Sequence, residues 1–190
     1  MSDDGGLAQE LREAFSNPDR IARERFALLK ELSNFVGLNP EEPEAQELVL
    51  RALEQRDQFA DCIPILNALV RQVGLFPYLD PEKLSIQDLI AYEFHRPTNM
   101  DEEIVFHRPQ ARIYRMLMDG ESIALSAPTS FGKSLIIDAV IASGRYKNIV
   151  IIVPTIALID ETRRRLTGRF GGEFKMIVSL RQACLTRKPR

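Results

Sequence analysis

Ser126-Ala127-Pro128-Thr129-Ser130-Phe131-Gly132-Lys133-Ser134 follows a short apolar run, Ile123-Ala124-Leu125, and leads into helix-forming residues from Gly132 to about Ser143. From Ala127 onward the residues fit the phosphate-loop pattern GxxxxGK[ST], with Ala in place of the first Gly. In such a loop, successive backbone N–H groups point into one concavity and hold phosphate oxygens. Thr129, Ser130, Phe131, Gly132, Lys133 and Ser134 are therefore the predicted nucleotide-binding set. Gly132 lets the backbone approach closely, and the start of the next helix adds positive potential at the same spot. Lys133 supplies a mobile charge for the β/γ-phosphates and is the candidate catalytic residue. The Ser134 hydroxyl is the candidate Mg²⁺ ligand. Ala127 sits at the end of the predicted strand, where a small residue suffices unless φ must be positive.

Downstream, Asn148 to Val153 is a continuous β-branched run, expected of a strand buried on both faces of a parallel sheet. A helix from Ile156 to about Leu166 and a third strand from Phe174 to Leu180 follow. Strand–helix–strand–helix–strand predicts a parallel sheet with right-handed crossovers. Ligands of open parallel sheets bind outside the carboxyl ends of the strands, which places Pro154, Thr155 and the first helical N–H groups on the rim of the phosphate loop. Those donors suit a nucleic-acid phosphate. Thr155 also reads simply as a helix N-cap, and the two roles are compatible. Arg163, Arg164, Arg165 and Arg169 form a basic cluster on that helix, although a charge run is ordinarily a solvated face.

Upstream, a helix is expected from Arg108 to Met118, closed by Asp119-Gly120. Gln110 lies near its start. A glutamine amide donates and accepts at once, matching the N7/N6 edge of adenine, so Gln110 is a candidate base reader that would favour ATP over GTP. On spacing alone, a surface glutamine at a helix start is the simpler account. Residues 1–100 read as helices and show no strand pattern. Asn17-Pro18 opens one helix, whose face carries Ile21, Leu28, Leu32 and Phe35, and Gly37 is expected to end it in a left-handed conformation. Asn39-Pro40 is the expected start of the next. Cys62, Leu66, Leu69, Val70 and Val73 form a further stripe, with Pro64 in the first turn and Gly74 after it. Ser85 to Asp88 resembles a capping box. Pro97 to Glu103 reads as a linker. The predicted organisation is α/β: a helical accessory domain (1–100), a partial RecA-like parallel sheet carrying the phosphate loop (101–180) and a basic tail (181–190) with no evident helix or strand.

The chain has 190 residues, 45% hydrophobic and 27% charged, which excludes disordered, collagen-like and disulfide-rich classes. The longest apolar run, Ile149 to Val153, is too short to cross a bilayer, so no membrane partner is expected. Cys62 and Cys184 fit no metal or redox spacing and read as small buried hydrophobes, which makes a reducing cytoplasm the default. His95 and His107 form no ligand pair, and no Ser/His/Asp or Cys/His arrangement can be built on them. The net charge of −2 conceals −8 over residues 1–100 and +6 over residues 101–190, so only the second half suits a polyanion.

Gln110, then SAPTSFGKS (126–134), then IVIIVPTIALIDE (149–161), resembles the first motifs of superfamily 2 helicases, in the DExH branch related to Ski-type enzymes. The resemblance covers about residues 104–170. It implies ATP and Mg²⁺ as cofactors and DNA or RNA as the partner. By that likeness Gln110 reads adenine, Thr129 to Ser134 are motif I, and Pro154 to Leu158 are motif Ia. In the family, motif Ia touches the single-strand backbone, and Arg163 is a further candidate contact. Helical N-terminal extensions occur in some bacterial relatives, a few of them linked to phage defence, and a protein partner for residues 1–100 would fit. The family's DExH box does not follow residue 170. The expectation is therefore the front piece of a helicase, inactive alone and with an unpaired sheet edge. A small P-loop kinase or other nucleotide phosphotransferase would share the loop but give Pro154–Glu161 no role. A docking module with a vestigial nucleotide fold is the third reading.

Overall fold

Ala8, Leu11, Ala14 and Phe15 recur every three or four residues and turn one side of the first helix, α1 (Asp4–Phe15), into a bundle core. The computed structural model describes residues 4–100, 103–178 and 183–187. These separate into two units. One holds the chain up to Arg96 together with Val105–Pro109, and the other holds Pro97–Ile104 and the residues from Gln110 onward. The linker expected at 97–103 thus divides differently, since the strap 105–109 returns to the helical unit. Asp101 and Glu102 of that linker lie outside the described residues.

The helical unit packs α1, α2 (Pro18–Leu38), α3 (Pro43–Glu54), α4 (Ile63–Gln72) and α5 (Ile86–Glu93), with short 3₁₀ turns between them. Asn17 caps α2 through its side chain, and Ile21, Leu28, Leu32 and Phe35 are buried as their spacing requires. Gly37 does not end that helix. It lies inside α2, and Asn39 closes the turn by donating its N–H to Phe35 O at 3.1 Å. Nor does the next helix start at Asn39-Pro40. A helix from Pro40 would place Pro43 where its missing N–H and its ring break the ladder, so α3 begins at Pro43, the one early position that tolerates proline. Phe59 stands edge-on to Phe15 at 6.2 Å between ring centroids and is fully buried. Arg12 bridges Glu44 and Glu47 at 2.7 and 2.8 Å, tying α1 to α3. Cys62 is a half-buried free thiol beside this core. Ser85 caps α5 by accepting from Asp88 N.

The strap is held by backbone and by one arginine. Phe106 N donates to His95 O at 2.8 Å, Arg108 N to Gly74 O at 3.1 Å, and Arg108 Nη2 to Arg71 O at 2.7 Å. Gly74 has φ +78°, and a Cβ there would come 2.7 Å from Arg108 Cβ, so only glycine fits.

The second unit contains α6 (Arg108–Met118, from Gln110 on), α7 (Lys133–Ala142), β1 (Asn148–Ile151), α8 (Ile156–Phe170), β2 (Phe174–Val178) and β3 (Ala183–Arg187). The strand order is β1-β3-β2, with both pairings antiparallel. β1 and β2 run in the same direction, as the crossover through α8 predicts, but each bonds to β3. The expected parallel ladder is therefore replaced. Only four residues separate Val178 from Ala183, a spacing that suits an antiparallel return and is too short for a parallel crossover. The tail expected to be structureless thus supplies the central strand. Residues 179 to 182 and 188 to 190, and the side chain of Cys184, lie outside the described residues.

Two further expectations change. Ile123-Ala124-Leu125 is not a strand, and Leu125 is 39% exposed, because a three-residue segment without a ladder partner has nothing to hold it extended. β1 stops at Ile151 rather than Val153, where its β3 partner Ala183 begins. Among the described residues, one face of β1 and β2 is covered. Ile149, Ile151, Phe174 and Met176 pack against Ile141, Ala142, Leu166 and Phe170, whereas Val150 is 53% and Ile152 73% exposed. α8 runs on to Phe170 because Leu166 and Phe170, one turn apart, both face that core.

Candidate functional site

Pro128 N-caps a single 3₁₀ turn, Thr129–Phe131, and Phe131 N donates to Pro128 O at 3.1 Å. The chain then needs a left-handed residue to swing into α7, and Gly132 takes φ +81° there. A Cβ at Gly132 would also lie 2.7 Å from Gln110 Nε2. Position 132 thus requires glycine for its dihedral and for its neighbour. Gly132 caps α7 without any side-chain acceptor, and its carbonyl receives Leu135 N and Ile136 N at 3.0 and 3.2 Å. The earliest amides of α7 therefore face the loop with the positive end of the helix dipole behind them.

Lys133 folds back into this loop. Its Nζ donates to Ala127 O and Pro128 O, both at 2.7 Å. The ammonium is thus held among loop carbonyls. Thr129, Ser130 and Ser134 are exposed around it, and Phe131 is half-buried. Gln110 is 8% exposed, and its Nε2 donates to Phe131 O at 2.8 Å. The structure therefore brings Gln110 onto the loop across 21 residues of sequence, which spacing alone could not establish. It is not the surface glutamine that spacing favoured.

The other predicted residues form a separate group along α8. Thr155 Oγ1 accepts from Leu158 N at 3.3 Å, so the threonine caps the helix as its type predicts. Pro154, Thr155 and Ile156 are exposed, and Leu158 is 39% exposed. Arg163 Nη2 lies 3.6 Å from Asp160 Oδ1, with both side chains half-exposed.

Asp138 escaped the sequence reading. It is 2% exposed, and its carboxylate accepts from Arg165 Nη1 and, at 3.0 Å, from Arg169 Nη1. Two of the four arginines that read as a solvated face are thus turned inward. The signal was present: Asp138 is the lone charge in Leu135-Ile136-Ile137-Asp138-Ala139-Val140-Ile141, and a charge in an apolar helix must find a partner. Among the described residues no group of three or more His, Cys, Asp or Glu could hold a metal ion, and no helix is long and apolar enough to cross a membrane.

Residues 1–89 match the family model described as the anti-bacteriophage protein B N-terminal domain. Residues 107–188 match that of the DEAD/DEAH box helicases. Anti-bacteriophage protein B of Escherichia coli (strain K12) is 43% identical over 161 residues, which are 84% of this chain and 21% of that protein. The chain thus spans about a fifth of the relative's length. No solved structure matches it.

Proposed function

We propose that the loop from Ala127 to Ser134 binds the triphosphate of ATP, and that the second unit is the ATP-binding part of a nucleic-acid helicase or translocase with a RecA-like core. The observation that carries this is the buckled loop with Gly132 at φ +81° and the Lys133 ammonium on the carbonyls of Ala127 and Pro128. Lys133 needs only side-chain rotation to leave those carbonyls and meet β- and γ-phosphate oxygens. The amides from Ser130 to Lys133 would take the remaining oxygens. Gln110 is poised beside the loop, where its amide would read adenine and sense the loop through Phe131 O. Ser134, exposed on the first turn of α7, would hold Mg²⁺, which neutralises phosphate charge. The loop conformation that would receive the phosphates rests on Gly132, where a Cβ would stand 2.7 Å from Gln110 Nε2.

The family match over 107–188 supports helicase descent, and the order of Gln110, SAPTSFGKS and VPTIAL is what favours the Ski-type branch in this proposal. In this reading Pro154, Thr155, Leu158 and Arg163 meet a DNA or RNA backbone. The kinase alternative leaves that segment idle. The 190 residues contain no Asp-Glu-x-His quartet to place an attacking water, so the role proposed for them is ATP binding. The identity with anti-bacteriophage protein B supports a role in phage defence. In this proposal the helical unit would be the part that meets a protein partner.

The test is a titration of the full chain with a fluorescent ATP analogue and Mg²⁺. Binding that weakens at least about tenfold in Lys133→Ala supports the reading, since a charge-assisted phosphate contact carries about 1.5–3 kcal/mol. Equal binding by wild type and variant, or equal affinity for the GTP analogue, refutes it.

A further inference from the structure

α7 begins at the phosphate loop and α8 begins at Pro154-Thr155, and the two helices are joined by one buried carboxylate. Asp138 lies five residues past Lys133, about 7.5 Å along α7. Arg165 and Arg169 are one turn apart and share a face of α8. Each gives one guanidinium nitrogen to a different carboxylate oxygen, Arg165 to Oδ1 and Arg169 to Oδ2. The carboxylate is 3% exposed, while the arginine side chains are 30% and 35% exposed. Such a fork resists both sliding and rotation of α8 against α7, because either motion strips a buried charge of a partner. The hydrophobic contacts of Ile141 with Leu166 and Phe170 have no comparable directionality.

We propose that Asp138, with Arg165 and Arg169, is a positioning element that couples nucleotide at the phosphate loop to a nucleic-acid phosphate at the start of α8. Asp138 touches neither ligand. It holds the helix bearing Lys133 and Ser134 in register with the helix capped by Thr155, so that an adjustment of one is delivered to the other. This rests on the proposed nucleotide and nucleic-acid sites. It also assigns the arginines: Arg165 and Arg169 serve the fork, and the contact with nucleic acid falls to Arg163 and the amides near Thr155.

The experiment uses the full 190-residue chain. The affinity for a fluorescent ATP analogue with Mg²⁺ is measured with and without saturating oligo(dT) or oligo(U), for wild type, Asp138→Asn, Asp138→Glu and Arg169→Gln. Thermal melts are recorded in parallel. Arg169→Gln removes the more exposed arm and keeps Arg165, so it tests the link even if Asp138→Asn fails to fold. The wild type should show at least about fivefold coupling, the lower end of typical allosteric linkage. Arg169→Gln should bring the ratio close to one while nucleotide affinity alone stays within about threefold. Asp138→Glu should recover part of the ratio. If the variants lower the melting temperature and leave the ratio unchanged, the fork is only a staple and the proposal is overturned. If the wild type binds both ligands without coupling, the proposal falls and the site reading stands. If the wild type binds no nucleotide, both fall.

Discussion

Replacing Gly132 by alanine separates two demands that the loop makes of one residue. The backbone at φ +81° costs an L-residue roughly 1–2 kcal/mol. The new Cβ would stand 2.7 Å from Gln110 Nε2, so the amide must move. Gln110 is flexible at that end and can swing away, but it then gives up its 2.8 Å bond to Phe131 O, worth about 1 kcal/mol. Holding the binding-competent loop therefore becomes about 2–3 kcal/mol harder, or roughly 30- to 150-fold in affinity for a fluorescent ATP analogue. A double-mutant cycle divides the loss. In a Gln110→Ala background the steric part is absent, and Gly132→Ala should weaken binding only by the dihedral share, about 5- to 30-fold. Circular dichroism checks that both variants remain helical. Equal penalties in the two backgrounds would refute the Gln110 contact, and full-strength binding by Gly132→Ala would refute the loop geometry itself.

Two other expectations concern the helical unit. Phe59→Ala empties a fully buried site against Phe15 and should cost about 3–5 kcal/mol, read as an earlier urea transition in far-ultraviolet circular dichroism. His107 is half-buried, and burial lowers its pKa from 6.5 despite a backbone hydrogen bond with Gly74 that opposes the shift. The fold favours the neutral ring, so this stabilisation is complete above pH 6.5 and is lost as pH falls through the depressed value. Melting temperatures from pH 7.5 down to 5 should therefore drop less in His107→Gln than in wild type, and identical slopes would exclude His107 as the source.

Much of the helical unit was legible because its signals are local. The Ile21, Leu28, Leu32 and Phe35 stripe, the Asn17-Pro18 start and the Ser85 cap each act within a turn or two. The misplaced start of α3 shows that a proline signal is read only in company, since Pro43 vetoes what Pro40 invites. The loop was legible as a pattern. Its most informative bond, Gln110 to Phe131, joins residues whose spacing carries no direction. The sheet was misread for a different reason. Pairing is a property of two segments at once, and Ala183 to Arg187 has little strand character alone. It becomes a strand because two neighbours offer it bonds on both edges. Asp138 belongs to no charge cluster, and its only signal in the sequence is its isolation within an apolar helix.

The position of β3 between its two predecessors has a temporal side. Neither β1 nor β2 bonds to the other, so neither gains a ladder until residues 183–187 have left the ribosome. The helical unit, built from near-neighbour contacts, is able to fold well before that moment. During the interval the nascent chain presents two apolar segments with open edges to the cell, and synthesis speed across codons 179–187 sets how long a chaperone must shield them.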